Sequence, residues 1–287
     1  MDKNKAVDKL KGLPHVYCIN LDGEPHRWES METMLKYWEV KNYTRISAYD
    51  GRDDDLGDIL KGRYPDQMTG GEVGCTTSHL KAMKEFLKTD APCAIIMEDD
   101  CDLSPVAHWG FTWKDFYAKV PYDYDVIQLA IINPAQMYVQ LHRRFVNDFS
   151  TACYMITRHH AEKLVRLHCR GDKYKLDQGV LPRAVADDLI YNSGNTFAIP
   201  LFLYKIELGS SIHDIHVNVF HKSSYEGLWN FWNHEAANIN DWNALFCYDP
   251  YFNRIPPGYE HLHKAEVEQQ KIMDSDEEYQ NHQINIS

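Results

Sequence analysis

At 287 residues, with 44% hydrophobic and 13% aromatic content, the chain holds enough apolar material for one large α/β domain or two small ones, and it is globular rather than disordered. Thirty Lys and Arg against 42 Asp and Glu leave a formal charge of −12, which disfavours nonspecific attraction to nucleic-acid phosphates or anionic lipid surfaces. An anionic ligand therefore needs a local device, such as a metal ion or a helix N-terminus.

The opening "MDKNKAVDKLKGLPHVYCINLD" has lysines but no apolar run before the first strand-like stretch, so it does not read as a signal peptide. No stretch approaches the ~18 apolar residues of a membrane span. The seven cysteines are an odd number without CxxC spacing. They read as reduced, mostly buried thiols of a cytoplasmic protein rather than a disulfide framework or a zinc site.

In chain order, "HVYCINLD" (15–22) is β-branched and aromatic until it ends on Asn20 and Asp22, as a buried strand entering a loop does. Trp28, Met31, Met34, Leu35 and Trp38 then repeat at helical spacing and predict an amphipathic helix with a core-facing stripe. "YTRISAYDG" (43–51) reads as a second strand and turn, and "RDDDLGDILKG" as a surface loop. "TGGEVGCTTSHLKAMKEFLK" (69–88) predicts a helix that starts within its first few residues. Its glycines lack the GxGxxG spacing and the phosphate-loop lysine. They read as a flexible entrance to a helix whose first N–H groups, with the hydroxyls of Thr76, Thr77 and Ser78, face an anion. His79 reads equally well as structural or functional.

"PCAIIMEDD" predicts a short central strand that ends in acids, and "YDVIQLAI" (124–131) and "TACYMIT" (151–157) repeat the strand signature. "RHHAEKLVRLH" predicts a helix, and "NTFAIPLFLYKIEL" one or two further strands. Strands alternating with helices give a parallel or mixed sheet covered on both faces, with ligands at the carboxyl ends of the strands. The chain divides into an N-terminal extension (1–12), one main domain (13–225), an aromatic segment packed on it (226–264) and an acidic, flexible tail (265–287).

The acids after the third strand carry the chemistry. In "IIMEDDCD", Glu98, Asp99, Asp100 and Asp102 crowd four carboxylates into five positions. Glu98 and Asp100, and Asp100 and Asp102, fall on the same side of an extended backbone. A hard divalent cation neutralises such a cluster and in turn grips phosphate oxygens; a solvated acidic turn is the plainer alternative. Asp187 and Asp188, in "VADDLIY", supply a late carboxylate for general-base work, or a helix cap. His213, His216 and His221 are candidates for completing a metal shell, although HxxH in an extended segment puts two rings on opposite faces. Trp229, Phe231 and Trp232 could stack on sugar rings or close the core.

Taken in order and spacing, "VYCINLDGEPHRWESMETML", "RISAYDG", "GGEVGCTTSHLKAM", "AIIMEDD", "STACYMITRHHAEKL" and "VADDLIYNSGNTFAIPLF" resemble glycosyltransferase family 25, the lipooligosaccharide and procollagen galactosyltransferase family, over residues 14–212. The resemblance implies a GT-A type, Rossmann-like mixed sheet with helices on both faces. It also implies a UDP-sugar donor (commonly UDP-galactose), Mn²⁺ or Mg²⁺, and transfer with inversion to a hydroxyl of a glycan, lipopolysaccharide or protein acceptor. By position, Asn20, Asp22 and Arg27 match the motif that edges the nucleotide pocket, and Ser78 and His79 match the serine-histidine pair after the glycines. Glu98, Asp99 and Asp100 match the acidic metal-and-diphosphate motif, and Asp187 the late aspartate. The family often has a second arginine beside the first, where this chain has His26 and Trp28. Two competing readings remain: a haloacid-dehalogenase-like phosphatase with "DCDLS" as its nucleophile motif, and a non-catalytic relative that keeps the pocket.

Overall fold

A computed structural model of the chain describes residues 8–247, apart from 53–55, 63–64, 66, 134–136, 178–182 and 207–220. His213, His216 and the acidic tail lie outside the described residues.

The chain is mixed α/β. The strands are β1 (Val16–Asn20), β2 (Tyr43–Ser47), β3 (Cys93–Glu98), β4 (Cys101–Asp102), β5 (Val126–Gln128), β6 (His142–Arg143), β7 (Cys153–Thr157), β8 (Cys169–Arg170), β9 (Lys173–Tyr174), β10 (Thr196–Ala198) and β11 (Leu203–Tyr204). Seven of them form one sheet in the order β2-β1-β3-β7-β5-β10-β6, while β4 pairs with β11 and β8 with β9. β1 pairs in parallel with β2 and β3, and β10 in parallel with β5. β7 runs antiparallel to both β3 and β5, and β6 antiparallel to β10.

Alternate side chains of the central strands serve two apolar layers, as the two-residue period of a strand requires. Val16, Cys18, Ile95 and Met97 face one layer, with Met31 and Leu35 of helix α1 (Pro25–Tyr37). Tyr17, Ile19, Ala94 and Ile96 face the other, with Val73, Leu80, Met83 and Phe86 of α2 (Gly70–Phe86) and Ala161 and Leu164 of α3 (Arg158–His168). The result is a single Rossmann-like domain. Two further helices matter below: α4 (Ala186–Tyr191) and α5 (Lys222–Asn230).

The tryptophan-rich segment closes the α1 layer. Leu228, Phe231 and Trp232 pack there with Trp109 and Phe202, and the Trp232 indole N–H donates to the Pro200 carbonyl at 3.1 Å. Of the three aromatics considered for sugar stacking, Phe231 and Trp232 are thus core and only Trp229 is exposed.

The glycines at the start of α2 differ from the expected flexible entrance. Thr69 caps the helix in a reciprocal box with Glu72, so "GGEVG" is already helical. Gly74 is there for close approach: a Cβ would stand 2.7 Å from the Tyr49 carbonyl oxygen and 2.9 Å from the Gly51 nitrogen. Both neighbours are backbone and cannot swing aside. Gly74→Ala should cost ~1–3 kcal/mol by overpacking, read as a lower Tm, and should move α2 away from the loop after β2. An unchanged Tm would show that this contact is not tight.

Candidate active site

Parallel pairing aligns Ile19 with Glu98 and Asn20 with Ser47, so β1, β2 and β3 all end at one edge of the sheet. Antiparallel β7 begins where β3 ends, with Met97 opposite Cys153. This edge opens into a cleft of about 760 Å³, including its solvent-filled mouth, lined by Asn20, Arg27, Ser78, His79, Glu98, Asp99 and Asp100, by Cys75 on α2, and by Tyr49–Arg52 after β2.

The three consecutive acids meet different surroundings. Asp99 is buried and fully engaged: Arg27 Nε donates to its Oδ1 at 2.9 Å and Asn20 Nδ2 to its Oδ2 at 2.6 Å. A second guanidinium nitrogen of Arg27 stands 2.5 Å from Oδ1. Glu98 Oε1 accepts from Thr151 Oγ1 at 2.7 Å and lies 3.2 Å from His79 Nε2. Burial pushes the Glu98 carboxyl up, but His79, Thr151 and Arg27 outweigh it and hold it below the ordinary range. Asp100 has the least compensation. Among the described residues its ion-pair partner is Arg27 at 3.9 Å, and its Oδ1 is buried without a hydrogen-bond partner. Burial first, then the charge of Glu98, raise its carboxyl to about 8.

Asp102 does not join them. Its two oxygens accept from Ser104, the backbone nitrogen at 2.9 Å and the hydroxyl at 2.7 Å, because β4 turns away to pair with β11. The expected same-side pairing of Asp100 and Asp102 assumed an extended backbone, and residues 99 and 100 form a turn. Asp22 is likewise at the rim, tied to Arg45 and Ser47 at 2.7 Å each.

The hydroxyls on α2 differ from expectation. Those of Thr76, Thr77 and Ser78 donate back to carbonyls of their own helix, Glu72, Val73 and Gly74, and all three residues are buried. Each hydroxyl proton is thus committed to a carbonyl within the helix. Ser78 also accepts from the Tyr49 backbone N–H at 2.8 Å, which fastens the loop after β2 to the helix. His79 is fully buried, with Nδ1 2.9 Å from the Tyr154 hydroxyl.

The late acids separate. Asp187 Oδ1 accepts from the Ser150 backbone N–H at 2.8 Å. Burial raises its carboxyl; Arg144 opposes and the charge of Glu98 adds to the rise. Asp188 is bound by Asn192 Nδ2 at 2.9 Å and raised by burial against Arg144 and Arg183. Asp187 feels the charges of Glu98 and His79. Neither side chain caps α4, whose N-cap is Val185. His221 packs against Tyr204, its carbonyl accepting from the Tyr204 hydroxyl at 2.8 Å.

Sequence reasoning missed the Ser150–Thr151 turn, Tyr154 and Cys75. Ser150 has φ +94°, a conformation that a non-glycine residue holds only when its surroundings impose it. Its carbonyl accepts from Gln128 and Tyr191, at 2.9 and 2.8 Å. The available signal was "ST" at the mouth of a strand, and Cys75 four residues before His79 on a helix.

Residues 13–178 match the family model of glycosyltransferase family 25 (LPS biosynthesis protein). That is more than half of the chain, and the chain belongs to this family. A protein of Drosophila pseudoobscura pseudoobscura described as "Glycosyltransferase 25 family member" is 26% identical over 135 residues, covering 43% of this chain and 21% of that protein. The match thus spans about a fifth of the curated relative's length. Among solved structures, "Crystal Structure of A197 from STIV" is similar with a TM-score of 0.38 at 12% identity, covering 66% of this chain and 83% of that one. Family membership, with Asp102 turned onto Ser104, removes the basis of the phosphatase reading. Among the described residues no helix is long and apolar enough to cross a membrane.

The state of Asp100 can be tested on the protein alone. In an unfolded chain an aspartate titrates near ~3.9, and in the fold Asp100 titrates at about 8. The native state therefore keeps a proton that the unfolded state has lost, and stability falls as pH rises from ~4 through 8. Without divalent cations, Asp100→Asn should show a flatter Tm-against-pH profile. At pH 8 its Tm should exceed wild type by roughly 2 °C or more, since one pKa unit is ~1.4 kcal/mol. Parallel profiles would mean that Asp100 is ionised at no cost.

Proposed function

We propose that the protein is a metal-dependent, inverting glycosyltransferase that moves a hexose, galactose by family analogy, from a UDP-sugar to a hydroxyl of a glycan, lipopolysaccharide or protein acceptor. The observation that carries this reading is the buried Oδ1 of Asp100, unpartnered among the described residues, at the carboxyl edge of the sheet, where open α/β folds bind ligands. A cation answers that deficiency, and the oxygen donors suit Mn²⁺ or Mg²⁺. Asp100 and Glu98 would hold it, and when bound it neutralises charge on the leaving diphosphate.

The remaining work falls to the chain's own residues. Asn20 and Arg27 fix Asp99, and Arg27 also faces Asp100 across 3.9 Å, so the acidic strand end is rigid before a donor arrives. Tyr49–Arg52 form the other wall, where a nucleoside fits. Inversion requires the acceptor oxygen to attack the anomeric carbon from the side opposite the diphosphate. As that bond forms, the sugar–phosphate bond breaks and UDP departs with the electron pair. The acceptor's proton passes to Asp187, which comes from a different segment than the cation-binding acids. A carboxyl raised by burial is a better base than an ordinary one.

A non-catalytic relative would bind donor and release nothing. Asp187→Asn should lower kcat by roughly 10² to 10⁴ while calorimetric UDP affinity with Mn²⁺ stays within about twofold. In the wild type, kcat should fall at acid pH with an apparent pKa above the ordinary carboxylate range. Full activity in Asp187→Asn with a large loss in Asp188→Asn would transfer the base to Asp188. Absence of UDP release from every UDP-hexose tried, with donor bound, would favour the non-catalytic relative.

A further inference from the structure

The same cleft carries a second set of donors, of different chemical character. Cys75 and His79 are four residues apart on α2, so they share one helix face a turn apart, and Glu98 approaches them from the end of β3. The Cys75 sulfur, a ring nitrogen of His79 and a carboxylate oxygen of Glu98 all lie within 4.8 Å of one another. We infer that Cys75, His79 and Glu98 form a binding site for a borderline-soft divalent cation of the Zn²⁺ or Co²⁺ class, distinct from the hard-ion position at Asp100.

Four features support the site. First, tetrahedral bonds of ~2.0–2.3 Å place neighbouring donor atoms ~3.3–3.6 Å apart. His79 Nε2 and Glu98 Oε1 are already 3.2 Å apart, and the sulfur needs to close by only about 1 Å, within reach of a side-chain torsion. Second, the histidine has the outer partner that metal-bound imidazoles use. Its Nδ1 is 2.9 Å from the Tyr154 hydroxyl; with Nδ1–H donating to that oxygen, the Nε2 lone pair faces Glu98 and Cys75. Third, Cys75 lines the open cleft, so a fourth coordination position faces solvent or ligand, as in three-ligand zinc sites. Fourth, the ligand-bearing turn of α2 is immobilised by Ser78 on Tyr49 and by the Gly74 close approach. The donor is preorganised rather than borne on a loop.

The sulfur decides the ion. Thiolate and imidazole select Zn²⁺ or Co²⁺, whereas Mn²⁺ and Mg²⁺ prefer all-oxygen shells. Glu98 then serves two directions, since the hydrogen bonds described above fall on Oε1, on the side of His79. Cation entry replaces the His79–Glu98 hydrogen bond by two metal–ligand bonds: the imidazole proton leaves Nε2 and the neutral ring carries it on Nδ1 instead, towards the Tyr154 hydroxyl, while the Cys75 thiol becomes a thiolate whose proton goes to solvent.

The test is a Co²⁺ titration of the full chain under reducing conditions, followed by absorption. The expected result is a near-ultraviolet thiolate-to-cobalt charge-transfer band with tetrahedral visible bands, saturating at one Co²⁺ per chain and displaced by Zn²⁺ but not by Mn²⁺. Cys75→Ser should abolish the charge-transfer band while circular dichroism and Tm in the absence of metal remain those of wild type. Cys247→Ser, which removes an exposed thiol, should leave the band intact. Tyr154→Phe should weaken Co²⁺ affinity by roughly 10- to 100-fold, as loss of an outer partner does. No charge-transfer band in the wild type, or a band that survives Cys75→Ser, overturns the inference. Neither result bears on sugar transfer, because the titration needs no donor and no turnover. If Cys75→Ser fails to fold, His79→Gln replaces it, and retention of the band at undiminished affinity is again the overturning result.

Discussion

The ion pair between Arg27 and Asp99 is the fixed point on which the cleft depends. Both side chains are about nine-tenths buried, and removing one partner of such a pair typically costs ~3–5 kcal/mol because the other is left as an uncompensated charge. The pair ties α1 to the end of β3. Asn20 extends it: its amide nitrogen donates to Asp99, and its oxygen accepts from Arg45 Nε on β2 at 2.8 Å. Arg45 then reaches Asp22. One polar network thus crosses the carboxyl ends of three parallel strands. Arg27 therefore holds the acidic turn in place from within the fold.

The second constraint is directional. An all-parallel sheet would send the start of every strand to the far edge. Reversing β7 between β3 and β5 brings the Ser150–Thr151 turn to the edge where β3 ends. Thr151 then donates to Glu98 and Ser150 to Asp187, so one turn connects the acidic strand with the late aspartate. Its left-handed backbone at Ser150 is held by the bonds from Gln128, Tyr191 and Ala152. Strain of this kind costs ~1–3 kcal/mol and persists where the surroundings over-determine it. Here it aims an N–H at a carboxylate that would otherwise be buried without a donor from this side.

Much of this was legible from residue order. The helical stripe of α1, the apolar run of β3, the acids that follow it and the family motifs all follow from local pattern, and the sheet with helices on both faces follows from their alternation. What local pattern leaves open is the choice of partner. Whether "TACYMIT" runs parallel or antiparallel is set by the connection that precedes it, and no periodicity within the strand encodes that. The hydroxyls of Thr76, Thr77 and Ser78 look like anion ligands in a one-dimensional reading because a helix start was placed beside them. In the fold they lie about two turns inside the helix, where a hydroxyl returns its proton to a carbonyl of the preceding turn. Asp102 failed for a related reason. The alternation argument holds for an extended backbone, and the chain turns at Asp99 and Asp100 to build β4. In contrast, Cys75 and His79 share a helix face at four-residue spacing, a pattern legible in the sequence, whereas Glu98, which joins them, comes from a strand that no local spacing places beside them.

The distribution of compensation among the acids then explains where the site is incomplete. Asp99 has Arg27 and Asn20, Glu98 has His79 and Thr151, and Asp187 has the Ser150 N–H with Arg144 nearby. Among the described residues, Asp100 has a single cation at the outer limit of ion-pair distance and one oxygen with no partner. Had the deficiency been shared among four carboxylates, each would be moderately destabilised and a cation would gain little by choosing one. Concentrating it on one residue, with its neighbours already locked, makes that residue the position where a positive charge gains most and has least to rearrange. The same logic separates the donor atoms on the two sides of Glu98. Towards Asp100 the available donors are carboxylate oxygens, while towards α2 they are sulfur and imidazole, so the strand end presents hard chemistry on one side and borderline-soft chemistry on the other.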